Sequence, residues 1–119
     1  MQTLMMILLV LIAIQHLGFM YLEMFLWTKD KGRKVFGLSK EDAKTTQVLA
    51  GNQGLYNGFL SAGVVWGLLH PDVTLGHQIL LFFLSCIVIA GIYGGFTAKR
   101  SILFIQGLPA LIGLILLLL

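Results

Sequence analysis

His16 and Glu23 stand inside an otherwise apolar run, and their spacing of seven residues sets them on one face of a helix, with Met20 between them and Trp27 below. An unpartnered carboxylate in an apolar medium costs several kcal/mol or is neutralised. Glu23 is therefore the natural centre of a proton-exchanging pair with His16 or of a ligand site. The structural alternatives are a carboxylate paired with a connector lysine and a histidine bonded to a neighbouring helix. The densest polar signal is Asn52-Gln53-Gly54-Leu55-Tyr56-Asn57-Gly58. In a helix, Asn52 and Tyr56 share one edge and Gln53 and Asn57 the adjoining one, a stripe about 140° wide. Three amides have more donors and acceptors than lipid can meet, so they face protein, water or a ligand. As plain interhelical hydrogen bonds they would contribute about 1 kcal/mol each. Tyr93 is a pocket wall or an interfacial anchor. Gln106 lies just before Pro109, a residue that frees a carbonyl one turn earlier and can kink the helix. The candidate ligand-binding set is thus Glu23, His16, Asn52, Gln53, Tyr56, Asn57, Tyr93 and Gln106, with no residue assigned as catalytic and no cofactor identified.

The elements that hold these residues follow from composition. Hydrophobic residues make up 58% of the chain and charged residues 11%, against about 25% charged in a soluble domain, so lipid must be the solvent. Four apolar stretches, 3–27, 45–69, 77–98 and 102–119, each approach the roughly 17–25 residues that a spanning helix needs. They are too long and too continuously apolar for barrel strands. The expected fold is all-α, a polytopic antiparallel four-transmembrane-helix bundle forming one domain over 1–119, the short connectors making the last three helices antiparallel neighbours. The stretch Met1–Phe25 has no basic residue before its apolar run and no clear cleavage site, and reads as a retained first helix rather than a secretory signal. Ser39-Lys40-Glu41-Asp42 reads as a helix start, with Ser39 as the cap.

Charge orients the chain. Lys29, Lys31, Arg33, Lys34, Lys40 and Lys44 fall in connector 28–44, and Lys99 and Arg100 in connector 99–101. The middle connector, 70–76, has no lysine or arginine. By the positive-inside rule the two basic connectors are cytoplasmic and both termini are outside, in a cell inner (plasma) membrane. The basic residues sit at membrane edges rather than on a separate face, which argues against nucleic-acid binding. The basic connector rests on anionic headgroups or caps the pocket.

Small residues mark close helix contacts. Ala50, Gly54, Gly58 and Ala62 form a ladder on the side of the second helix away from the amides, Gly63 and Gly67 extend it, and Gly91 and Gly95 repeat it on the third. These contacts lie within the bundle or at a homo-oligomer seam. Cys86 reads as core packing. His70, Asp72 and His77 in the middle connector are too few and too spread for a convincing metal set. No phosphate loop, dinucleotide fingerprint, HExxH or GxSxG occurs.

Several segments in order resemble a family of small bacterial membrane proteins, domain of unknown function 1304. They are His16-Leu-Gly-Phe-Met-Tyr-Leu-Glu-Met-Phe-Leu-Trp27, Gly32-Arg-Lys-Val-Phe-Gly-Leu-Ser39, Asn52-Gln-Gly-Leu-Tyr-Asn-Gly-Phe59, Ala90-Gly-Ile-Tyr-Gly94 and Gln106-Gly-Leu-Pro-Ala110. The resemblance implies a four-helix inner-membrane protein and no activity. The functional expectation is a polar intramembrane pocket, open to the cytoplasmic side, that binds or transports a small solute or lipid-like ligand. The alternatives are a membrane enzyme using Glu23 or His16 as acid/base and a structural partner subunit packed through its glycines.

Overall fold

The computed structural model describes residues 1–119 and is helical throughout, with no strand. Five helices follow one another: α1 (Gln2–Phe25), α2 (Asp30–Phe36), α3 (Lys40–Leu69), α4 (Val73–Thr97) and α5 (Arg100–Leu118). Helices α1, α4 and α5 are each long and apolar enough to cross a membrane, the mark of a membrane protein. At 30 residues, or about 45 Å, α3 has the length. It is not among those three, because Thr45, Thr46, Gln47, Asn52, Gln53 and Asn57 dilute its apolar content.

Local chemistry sets the helix ends. The Ser39 hydroxyl accepts from the Asp42 N–H at 3.1 Å, so α3 starts at Lys40, five residues ahead of the apolar run at 45. Asp72 does the same for α4, accepting from the Leu75 N–H at 3.1 Å, and the helix starts at Val73 rather than 77. The long, charged connector 28–44 contains a short helix of its own, α2. This helix stops at Gly37, whose φ of +66° is cheap only for glycine. Within α5, Leu103–Gly107 form a π-helical turn in which the Leu108 N–H reaches back to the Leu103 carbonyl. Pro109 two residues into the following turn has no N–H to give to Ile105, so the i→i−4 ladder is already broken there.

The chain folds as two compact units, Met1–Ala13 with Ala62–Leu119, and Ile14–Ser61. In the first, Leu9, Ile12, Val64, Leu84, Ile87 and Ala110 are buried. The π-turn lies against α4 so closely that a Cβ on Gly91 would come within 2.6 Å of the Gly107 Cα, and one on Gly95 within 2.7 Å of the Leu103 side chain. At the α3–α4 hairpin, a Cβ on Gly76 would come within 2.7 Å of the Gly67 carbonyl oxygen, while Gly63 faces the Phe83 ring.

In the second unit α1 and α3 meet through glycine. A Cβ on Gly54 would stand 2.8 Å from Met24 Cγ and 3.1 Å from the Met20 carbonyl oxygen, and one on Gly58 would meet the Met20 sulfur at 2.6 Å. Trp27 Nε1 donates to Thr46 Oγ1 at 3.0 Å, and that hydroxyl donates to the Asp42 carbonyl at 2.7 Å. The Trp27 and Phe36 rings stand 4.8 Å apart, and α2 approaches so tightly that the Leu26 carbonyl occupies the place of a side chain at Gly32. Gly54, Gly58, Gly63, Gly67, Gly91 and Gly95 therefore make their close approaches within the chain. Of the alanines in the expected ladder, Ala50 is buried and Ala62 is exposed.

Candidate functional site

Antiparallel register builds the site inside the Ile14–Ser61 unit. Moving along α1 from Met20 to Trp27, the partners on α3 run backward from Gly58 to Thr46. Between these contacts Asn57 Nδ2 donates to Glu23 Oε1 at 2.6 Å. Glu23 is 8% exposed and Asn57 6%. The lysine partner that the sequence allowed for Glu23 is replaced by an amide. The ion pair nearby, Arg33 with Asp30 at 3.6 Å, belongs to α2.

His16 is completely buried on the same face of α1 as Glu23, two helical turns toward the N-terminus. Its ring meets Phe19 edge-on at 5.7 Å. The register of the two helices carries His16 to the level of Ser61, which is also buried. Ser61 lies outside the set expected from sequence but belongs to the same buried stretch of α3. The signal was the spacing Ala50, Gly54, Asn57, Ser61, Val64, an alternation of four and three residues that marks a single packed seam. On that seam the small residues and the polar ones share a side of α3, where the sequence reading had set them on opposite sides.

The rest of the candidate set divides differently. Asn52, Gln53 and Tyr56 are exposed, and Asn52 Nδ2 donates to the Val48 carbonyl of its own helix at 3.1 Å. The stripe is thus split, with Asn57 turned into the seam and its neighbours turned out. A rotation of about 100° per residue separates them, and the glycines, which seat α1, decide which edge goes in. Tyr93 is exposed on α4, and Gln106 is half-buried in the π-turn; both belong to the other unit. No three residues among His, Cys, Asp and Glu gather into a metal-holding group. His70 Nδ1 is occupied by the hairpin backbone, 3.0 Å from the Asp72 N–H, and the Asp72 carboxylate caps α4.

A carboxyl group held by one neutral donor keeps a second oxygen for exchange. The Glu23 arrangement can accept a proton or a hydrogen-bond donor, and it can attract a cation, without first breaking an ion pair. The family model for a protein of unknown function (DUF1304) matches residues 10–118. The chain belongs to this family. An uncharacterized protein of Lactococcus lactis subsp. lactis (strain IL1403), YpaA, is 32% identical over 111 residues, covering 92% of each chain. No solved structure matches. Neither name states an activity.

Proposed function

We propose that the protein crosses the inner membrane four times, with both termini outside and connectors 28–44 and 99–101 cytoplasmic. In this reading it binds or transports a small solute or lipid-like ligand through a polar site opening to the cytoplasm. The observation that carries the site is the buried Glu23 carboxyl hydrogen-bonded to Asn57 across α1 and α3. An ionisable group within a spanning segment is expensive, and its usual justification is function.

The proposal makes α3 the fourth span. Two features support this. Thr46 pairs with Trp27, just past the end of α1, so Lys40 to Thr45 extend beyond α1 and leave the more apolar remainder of α3 to lie beside it. Of the polar side chains that α3 carries along this remainder, Asn57 and Ser61 are turned inward, while Leu55, Phe59, Val65 and Trp66 face outward with Asn52, Gln53 and Tyr56. Gln53, next to Gly54, then lies at the depth of Glu23, within reach of the cytoplasmic edge, and Asn52 returns its amide to the Val48 carbonyl of its own helix. Glu23 and Asn57 lie about one turn inside that edge, and His16 marks the inner end of the polar seam. Beyond it the buried residues are Leu9, Ile12 and Val64.

The test is transport in sealed proteoliposomes loaded with a pH-sensitive dye, challenged with a panel of small amines, amino acids and lysolipids. The expected result is a solute-dependent pH change that Glu23→Gln abolishes while helical circular dichroism is retained. Equal signals from wild type and Glu23→Gln across the panel would overturn the reading.

A further inference from the structure

A second cluster of donor atoms lies at the α3–α4 hairpin, sharing no residue with the Glu23 seam. Gln2, Met5, Met6, His70 and His77 line one hollow of about 150 Å³, walled by Leu9, Val73 and Leu80. The sequence builds it simply. Residues 2, 5, 6 and 9 recur at helical spacing, so the thioethers of Met5 and Met6 turn to the same side. His70 follows the last turn of α3 and His77 lies in the second turn of α4. Gly67 and Gly76 let those two helices close almost backbone to backbone, which draws the two imidazoles toward one another.

We propose that this hollow is a site for Cu(I), with Ag(I) as its chemical analogue. The donor types decide the metal. Thioethers are soft ligands that select Cu(I), and imidazole suits it as well. A zinc site would need a third imidazole, thiolate or carboxylate, and no such group of three is present. The Asp72 carboxylate, two residues from His70 in sequence, already serves the α4 cap. Neutral donors on apolar walls also favour a monovalent ion over a divalent one, since less charge is taken out of water.

His70 is held in a ligand's posture. Its Nδ1 is 3.0 Å from the Asp72 carbonyl oxygen, and its ring lies 6.4 Å from that of Trp66. With the proton on Nδ1 donated to that carbonyl, Nε2 presents its lone pair, the arrangement by which backbone carbonyls orient metal-binding histidines. The same Nδ1 also stands 3.0 Å from the Asp72 N–H, so the empty and loaded forms would differ by a tautomer with little movement of the ring.

The test uses the full chain in lipid nanodiscs, with Cu(I) supplied under reducing conditions and contested by a colorimetric Cu(I) chelator. One equivalent should be withheld from the chelator, Ag(I) should displace it, and X-ray absorption should show sulfur neighbours. Met5→Leu with Met6→Leu preserves volume and should weaken retention at least tenfold, as should His77→Ala, with helical circular dichroism unchanged. Failure to withhold Cu(I), or retention by the Met5→Leu, Met6→Leu pair equal to wild type, would overturn the proposal.

Discussion

Removing the Asn57 amide isolates the energy of the buried polar contact. Asn57→Ala deletes the donor to Glu23 Oε1 and leaves a 6%-exposed position partly empty, facing a carboxyl group that is 8% exposed. A hydrogen bond to a charged group contributes about 1.5–3 kcal/mol in water-soluble proteins. Double-mutant cycles between membrane helices average about 0.6 and reach about 1.7 kcal/mol. The short distance and the depth of burial argue for the upper end of that membrane range. Asn57→Ala should therefore destabilise by about 2 kcal/mol, of which about 1.5 is coupling to Glu23 and the remainder lost packing. The assay is reversible unfolding in mixed micelles titrated with SDS, read by tryptophan fluorescence, for Glu23→Ala, Asn57→Ala and the double variant. Distant, independent sites add to within about 0.3–0.5 kcal/mol. A coupling below about 0.5 kcal/mol would show that the two side chains do not depend on one another, and the seam would lose its claim to be a site.

The same unfolding assay separates crowded glycines from free ones. Gly91→Ala puts a methyl against the Gly107 backbone and should cost about 1–3 kcal/mol, as overpacking does. Gly18→Ala meets nothing within 4 Å and should stabilise α1 by up to about 1 kcal/mol through helix propensity. Ser39→Ala removes the α3 cap and should cost about 1 kcal/mol, with faster amide exchange confined to the first turn of α3. Thr46→Val removes the acceptor for Trp27 Nε1 while keeping the shape; a loss of about 0.5–1.5 kcal/mol and a shifted Trp27 emission in a Trp66→Phe background are expected.

What the sequence made legible depended on how local the cause was. The caps at Ser39 and Asp72 are decided by residues three positions apart, and the first is legible in Ser39-Lys40-Glu41-Asp42 alone. At the second the apolar run begins at 77, four residues after the cap starts the helix, so hydropathy alone places the boundary too late. The α2 helix leaves little trace in the sequence because seven residues give too little periodicity. It is held by contacts with the segment just before it, the Phe36 ring on Trp27 and Gly32 on the Leu26 carbonyl, which helical periodicity does not record. Glu23 and His16 were placed on one face correctly because helical spacing alone fixes that relation. Asn57 could not be separated from Gln53 by the same means. A stripe of polar residues records that some of them must find partners, and only the partner helix determines which.

That determination is itself physical, and it ties the glycines to the chemistry. The carbonyl of Met20 and the side chain of Glu23 come close to α3 only because Gly54 has no Cβ. With α1 so near, the Asn57 amide, three residues on, reaches Glu23 at 2.6 Å. A larger residue at 54 would push the two helices apart by more than a hydrogen bond can stretch, since a bond near 3.6 Å no longer counts as one. Gly54→Val should accordingly abolish the Glu23–Asn57 coupling even though both polar side chains remain, and should abolish any Glu23-dependent flux with it. Measuring the cycle in the Gly54→Val background gives the decisive comparison. Coupling that survived there would mean that the amide follows the carboxyl without help from the close approach, and the glycine would be reduced to packing alone.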